Sequence, residues 1–141
     1  MNRARGVDPL LFLALIRQES RFHPQAVSRA GALGLAQVMP ETGAWIALKT
    51  GEPYEDGLLV RPVVSVRYGM WYLAGALDLY DRNWPAALAA YNAGWTNVGK
   101  WTGGQPILDA DLFYETIPLA ETKAYVRLVY ENYRAYQRIY R

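Results

Sequence analysis

An uninterrupted apolar run at residues 10–16 limits the possible folds of this chain most strongly. Asp8 and Pro9 stand directly before it, and they are favoured residues for the N-cap and first position of a helix. We therefore predict a helix over residues 9–19. Its middle has no polar face, which is typical of a helix surrounded by core. The run is too short to cross a bilayer and lacks the cleavage pattern of a signal peptide, so we expect it to be the buried central helix of a folded domain.

The rest of the chain is divided into helical stretches by glycine and proline residues. The further predicted helices are 40–51, 62–80, 84–91, 96–101, 109–114 and 121–141. Apolar residues do not alternate with a period of two over any useful length, so we predict an all-α fold, with at most a small hairpin in 49–60 or 101–106. In the last helix, spacings of three and four favour a stripe of core residues over a ligand site. The stripe is Tyr125, Val129, Tyr133, Tyr136 and Tyr140.

Composition narrows the function classes. With 141 residues and 52% hydrophobic residues, the chain has the size and apolar content of one folded domain, residues 1–141. It has no cysteine, which excludes disulfides, a thiol nucleophile and thiolate metal ligands. His23 is the single histidine and has no evident set of carboxylates around it, so we expect neither a metal nor a cofactor. The net charge is +2 without a run of basic residues, so nucleic acid is not expected as a partner.

Glu19 is the residue that stands out chemically. It is predicted to lie at the carboxyl end of a buried helix, where backbone carbonyls disfavour a negative charge. Partial burial disfavours the charged form as well, so both effects raise the pKa, as a general acid near neutrality requires. The alternative is an ordinary exposed glutamate where the helix frays, paired with Arg17 or Arg21.

The segment after Glu19 carries a glycine-rich loop, Gly34-Leu35-Ala36-Gln37, followed by Met39 and Pro40. Glycines allow the backbone to approach a ligand closely. Gln37 has both a donor and an acceptor, which suits an acetamido group or a sugar hydroxyl. Met39 adds an adaptable apolar surface. The alternative is a turn whose glutamine is satisfied within the protein.

Two later segments complete the pattern. Ala90-Tyr91-Asn92-Ala93-Gly94 ends the fourth predicted helix, and Asn92 with Gly94 could form no more than a helix C-cap. Glu115-Thr116-Ile117-Pro118 precedes the last helix, which opens with Glu121-Thr122-Lys123-Ala124-Tyr125-Val126.

In this order and spacing the segments resemble lytic transglycosylases of the soluble-transglycosylase type, which have a fold similar to goose-type lysozyme. The resemblance covers about residues 8–138. It implies a lysozyme-like helical domain with Glu19 as the catalytic acid and base. It also implies a saccharide groove formed by Ser28, Gln37, Met39, Tyr91, Asn92, Glu115 and Tyr125. His23 and Ser65 depart from the pattern, because family members commonly have asparagine at both positions.

The resemblance implies a peptidoglycan lytic transglycosylase. Such an enzyme cuts the β-1,4 bond between N-acetylmuramic acid and N-acetylglucosamine without water and leaves 1,6-anhydro ends. The expected partners are peptidoglycan glycan strands, and the expected location is the periplasm or cell envelope, with the export signal and any further domains outside this chain. Two alternatives are a hydrolytic muramidase of the same fold and a helical module that binds peptidoglycan or a protein without cutting. A muramidase usually needs a second carboxylate.

Overall fold

The computed structural model describes residues 6–141, and its regular secondary structure in this range is helical. The all-α prediction is therefore confirmed. The α-helices are α1 (Pro9–Ser20), α2 (Pro40–Thr50), α3 (Pro62–Leu79), α4 (Trp84–Ala93), α5 (Trp95–Thr102), α6 (Ala110–Thr116) and α7 (Ala120–Tyr140). A 3-10 helix, Asp56–Val60, lies between α2 and α3.

Local side-chain chemistry accounts for where several helices begin. The Asp8 carboxylate accepts a hydrogen bond from the Leu10 amide at 2.9 Å. Asn83 accepts one from the Ala86 amide at 3.2 Å. Asp109 caps α6 in the same way. Such caps satisfy amide groups that have no partner inside the helix, and the predicted helix bounds fall within about two residues of the observed ones.

The first of two compact units spans Met1–Tyr72 and contains the helix predicted to be central. Leu11, Phe12 and Leu15 on α1 are at most 6% exposed. The helix is not buried all round, however, because Leu13 is 37% exposed. Other helices of this unit bury Ile46 and Leu59 completely.

The second compact unit spans Leu73–Arg141 and is built on α4. This helix packs against α5, α6 and α7. Every residue from 85 to 90 is buried, and four of these six are alanine. Small side chains let neighbouring helices approach closely on every side of α4. The apolar run of the sequence indicated burial for α1, whereas the burial of α4 was not predicted.

The predicted core stripe on α7 is correct only in part. Tyr125 and Val129 are buried, and Tyr133 and Tyr136 are half-buried. Tyr140 is 65% exposed, so its assignment to the core was wrong. The helix extends past the residues it packs against, and its periodic pattern continues beyond the buried part.

The optional hairpins are not formed. Segment 49–60 contains the 3-10 helix, and segment 101–106 contains the end of α5 and a turn through Gly103 and Gly104, both with positive φ. Residues 6–141 contain no β-strand, only isolated bridges that pair Leu33 with Val27 and with Val38. Within that same range, no helix combines the length and apolarity needed to cross a membrane.

Candidate active site

Glu19 lies next to the last residue of α1 and is half-buried. The helix end around it is closed. The Ser20 hydroxyl donates to the Ile16 carbonyl at 3.2 Å, and the Arg21 amide donates to the Arg17 carbonyl at 3.0 Å. Arg17 and Arg21 are both exposed. The carboxylate therefore stands on an ordered helix terminus, not on a frayed one.

The turn directly after Glu19 is conformationally unusual. Arg21 and Phe22 have φ values of 52° and 63°, consecutive left-handed positions without a glycine. Such positions cost free energy and are concentrated at functional sites. The His23 amide donates to the Ser20 carbonyl at 3.0 Å, and the Ala26 amide donates to the His23 carbonyl at 3.2 Å. These bonds turn the chain sharply at the end of α1.

The same hydrogen-bonded path continues into the glycine-rich loop. The Ala26 carbonyl accepts a bond from the Gly34 amide at 2.9 Å and one from Gln37 Nε2 at 3.0 Å. Gln37 Nε2 also donates to the Gly34 carbonyl at 2.9 Å. The residue after Glu19 and the Gln37 side chain thus belong to one continuous framework of short-range hydrogen bonds.

This framework restricts what Gln37 can offer a ligand. Its side-chain amide has two hydrogens, and both are donated to backbone carbonyls. In any hydrogen bond with a ligand, the Gln37 side chain must therefore be the acceptor, through Oε1. From the sequence we expected both a donor and an acceptor, but the loop uses the donors itself.

The floor under this loop is formed by the 3-10 helix and α3. The fully buried Ser65 accepts a hydrogen bond at Oγ from the Ala36 amide at 3.0 Å. Gly34 has φ 79°, and a Cβ there would overlap the Leu59 carbonyl oxygen and lie 2.9 Å from Ser65 Oγ. Only glycine fits this close approach without moving the floor.

Two more of the predicted groove residues belong to this unit. Ser28 is half-buried, and its hydroxyl oxygen accepts a bond from the Ala32 amide at 3.0 Å. Met39 is half-buried at the N-cap of α2, where its carbonyl accepts a bond from the Gly43 amide at 2.8 Å. Because Ser28 uses only its hydroxyl oxygen in the bond with the Ala32 amide, its hydroxyl hydrogen is left for donation to another group.

In the second unit, Asn92 is tied to α7. The hydroxyl of Thr122, which is 2% exposed, donates to Asn92 Oδ1 at 2.8 Å across 30 positions of the chain. Asn92 lies inside α4, so it is not a cap. Gly94 is the C-cap of α4, with φ 87° and ψ 149°, a conformation essentially restricted to glycine. The amide nitrogen of Asn92 is the end that faces away from the Thr122 bond.

The other predicted groove residues of this unit differ in exposure. Tyr91 on α4 is half-buried, whereas Tyr125 on α7 is only 5% exposed. Glu115 is exposed and forms an ion pair with Lys123 at 3.3 Å. Lys123 also lies 5.2 Å from the centre of the Tyr114 ring. Only a small part of the Tyr125 surface is thus available for the saccharide contact predicted from the sequence.

The roles of Ser65 and Thr122 were not predicted from the sequence. Both are buried hydroxyl residues that bond a motif residue from a distant helix. The available signal was a small polar residue at a helix position where the pattern calls for an apolar one, as at Ser65 between two valines.

Across residues 6–141, no group of three or more histidine or acidic residues is arranged to hold a metal.

Comparison with known proteins gives consistent matches. A family model described as "Transglycosylase SLT domain" matches residues 1–113. The soluble lytic murein transglycosylase of Salmonella typhimurium is 35% identical over 143 residues, covering 99% of this chain and 22% of that protein.

Two solved structures are similar over nearly the whole chain. One is the lytic transglycosylase Slt of Pseudomonas aeruginosa, an inactive Glu-to-Gln mutant, with 36% identity and a TM-score of 0.86 over 95% of this chain. The other is the 70-kDa soluble lytic transglycosylase in complex with bulgecin A, with 33% identity and a TM-score of 0.86 over 94% of this chain. This chain spans only 22% of each of those chains.

Proposed function

The chain belongs to the transglycosylase SLT family, and we propose on that premise that residues 1–141 are the catalytic domain of a lytic murein transglycosylase. The match to a murein transglycosylase over 99% of the chain supports the activity. Similarity to solved lytic transglycosylases over 95% of the chain supports a single catalytic domain. The proposed substrate is the peptidoglycan glycan strand, and the proposed location is the periplasm or cell envelope.

The observation that carries the proposal is the placement of Glu19. This half-buried carboxyl group stands at a closed helix end, and hydrogen bonds connect the next residue to the Gln37 loop. In the Pseudomonas aeruginosa relative, a glutamate-to-glutamine mutant is inactive. We assign the corresponding role to Glu19.

The proposed reaction needs one carboxyl group. Protonated Glu19 gives its proton to the glycosidic oxygen between N-acetylmuramic acid and N-acetylglucosamine, and the C1–O bond breaks. The acetamido oxygen of the muramoyl residue attacks its own C1 and forms an oxazolinium ion. The Glu19 carboxylate then removes the proton of the C6 hydroxyl. That oxygen closes on C1, releases the acetamido oxygen and leaves a 1,6-anhydro end.

The hydrogen-bond polarity of Gln37 suits this route. Its Oε1 can accept a bond from the N–H of the acetamido group, because both of its own hydrogens are already used. An acceptor at that N–H increases electron density on the acetamido oxygen, whereas a donor at the oxygen would weaken it as a nucleophile. We therefore assign Gln37 to the acetamido N–H. The amide hydrogens of Asn92 are assigned to a sugar hydroxyl.

The test is digestion of purified sacculi followed by mass spectrometry of the soluble products. We expect anhydro-ended muropeptides, one water lighter than reducing-end products, from the wild type. Glu19→Gln should lower the rate by roughly a hundredfold or more, because the general acid is lost. Glu41→Gln is the matched control, since Glu41 is an exposed carboxylate in the first turn of α2. It should stay close to wild-type activity.

Other outcomes would overturn the proposal in different ways. Reducing-end products, together with inactivity of both Glu19→Gln and Glu41→Gln, would indicate a muramidase that uses two carboxylates. Binding of sacculi without any soluble product from the wild type would indicate a binding module.

The proposed role of Glu19 also predicts a pH dependence. Activity should decline as the pH rises through the pKa of Glu19, because only the protonated carboxyl can donate.

A further inference from the structure

Ser65 has a buried hydroxyl group that takes no direct part in the proposed reaction. It lies on α3 with its side chain fully buried, between Val64 and Val66. A serine inside a helix commonly bonds a carbonyl of its own preceding turn. Here Oγ accepts a bond from the Ala36 amide, 29 positions away. The hydroxyl thus fixes a loop peptide to a helix.

We propose that Ser65 is a positioning residue for transglycosylation, which acts by setting the direction of Gln37 Oε1. The inference rests on the function proposed above. Ala36 immediately precedes Gln37, so the bond to Ser65 holds the peptide from which the Gln37 side chain extends. Gln37 itself has φ 52°, a left-handed conformation that needs support from its surroundings.

Ser65 also lies close to the loop at Gly34, and this proximity limits the size of the side chain at position 65. A Cβ placed on Gly34 would lie 2.9 Å from Ser65 Oγ, so the loop backbone is already close to the hydroxyl. A bulky apolar residue at position 65 would press on the loop and supply no acceptor. Alanine would remove the buried hydroxyl oxygen that accepts the bond from the Ala36 amide, and loss of a buried hydrogen bond is unfavourable in a protein interior. A small residue with an acceptor atom meets both conditions.

Loop position matters because Gln37 has a single atom left for the ligand. Both amide hydrogens are used within the loop, so Oε1 cannot be replaced by rotation of the side chain. A shift of the Ala36 peptide therefore moves the acceptor away from the acetamido N–H. The acetamido group forms its bond to C1 in the transition state, so misplacement should lower kcat more than it raises KM.

The experiment compares Ser65→Ala with two matched variants on soluble, uncross-linked glycan strands. For Ser65→Ala we expect kcat to fall roughly tenfold or more, with KM changed less than about threefold. Ser65→Thr keeps the hydroxyl and should recover most of kcat. Ile46→Val is the stability control, because Ile46 is fully buried on α2 and has no hydroxyl bond to the loop. It should keep wild-type kcat well below its melting temperature.

A double-mutant cycle keeps the test decisive if Ser65→Thr does not fold. Ser65→Ala and Gln37→Leu should be strongly non-additive in kcat, because both act on the same acceptor. Ile46→Val and Gln37→Leu should be additive within about twofold. Additivity in both cycles, or a kcat for Ser65→Ala equal to that of Ile46→Val, would overturn the role of Ser65.

These outcomes are distinct from failure of the proposed function. If Glu19→Gln retains activity, or if the wild type releases no anhydro-ended products, the reaction itself is wrong. If the wild type is active, Glu19→Gln is inactive and Ser65→Ala behaves as Ile46→Val, only the positioning role is wrong. Amide hydrogen exchange of Ala36 provides a readout independent of activity, and Ser65→Ala should accelerate it while Ile46→Val should not.

Discussion

Gln37 and Asn92 are side-chain amides in different compact units, and each has a different end engaged by the protein. Gln37 donates both of its hydrogens to backbone carbonyls of its own loop. Asn92 accepts a hydrogen bond from Thr122, which belongs to a distant helix. Gln37 therefore has its amide oxygen left for a further hydrogen bond, and Asn92 has its amide hydrogens left. Two amides that look equivalent in the sequence differ in hydrogen-bond polarity because of what they already bond.

The glycines of the two motifs differ in a parallel way. Gly34 has a positive φ, and a Cβ there would overlap the Leu59 carbonyl oxygen and lie 2.9 Å from Ser65 Oγ. Gly94 has a positive φ but has open space where a Cβ would stand. Gly34 is needed for both conformation and close packing, whereas Gly94 is needed for conformation alone.

The largest expected effect comes from replacing these glycines. Gly34→Ala should lower the free energy of unfolding by about 4 kcal/mol, because backbone strain and steric overlap add. Gly94→Ala should cost about 2 kcal/mol, from strain alone. Urea unfolding measures both losses. Gly31→Ala is a control within the same loop, since Gly31 has φ 93° and a Cβ there would meet no atom within 4 Å. Equal losses for Gly34→Ala and Gly31→Ala would show that the floor contact is unimportant.

A smaller effect tests the amides directly. Gln37→Glu replaces the donating nitrogen with an oxygen that faces two carbonyls, and should cost about 2 kcal/mol at pH 7. Asn92→Asp keeps the oxygen to which Thr122 donates, and should cost about 0.5 kcal/mol from the adverse helix C-terminus. Urea unfolding at pH 7 compares the two variants.

The pH dependence of Gln37→Glu gives a further check. The two carbonyls favour the protonated carboxyl in the folded state, so its pKa should rise above the unfolded value of about 4.3. The destabilisation should thus be smallest below about pH 4 and increase as the pH rises through the folded pKa. If Asn92→Asp is the more destabilising variant, the contrast in polarity between the two amides is wrong.

The smallest expected effect is a loss of stability at alkaline pH, caused by buried tyrosines of the first unit. Burial raises the pKa of Tyr68, and the carboxylate of Glu52, which accepts its hydroxyl bond at 3.2 Å, raises it further. Burial also raises the pKa values of Tyr54 and Tyr72. These tyrosines ionise more readily in the unfolded chain than in the folded protein. The stability that their neutral forms contribute is therefore fully present below the unfolded pKa of about 10 and is lost as the pH rises above it.

Melting temperatures between pH 8 and 11 test this expectation. Tyr68→Phe should lower the melting temperature slightly at pH 8, because Glu52 loses a donor, and should reduce the decline above pH 10. An unchanged slope would mean that the ionisation of Tyr68 is not linked to unfolding. Lys123→Ala is a useful control, since it removes the ion pair with the exposed Glu115 and the ammonium group beside the Tyr114 ring.

The helices were predictable because their signals are local. Asp8, Asn83 and Asp109 cap helices through residues two or three positions away, so neighbouring sequence is enough to locate those ends. The core was less predictable. The stripe on α7 failed at Tyr140 because periodicity does not reveal where packing partners end. The burial of α4 was missed because alanine is compatible with both a surface and a tightly packed interior.

The sequence by itself determined the helical class and the helix bounds. It also pointed to Glu19 as the candidate catalytic residue and supplied the motifs that carry the family resemblance. These features depend on residue identity and on interactions over a few positions. Only the tertiary structure decided which donor and acceptor atoms of the motif side chains are already bonded within the protein. The bonds from Ser65 to Ala36 and from Thr122 to Asn92 span 29 and 30 positions. Hydrogen bonds are directional and each group forms few of them, so long-range packing decides which donors and acceptors remain for a ligand.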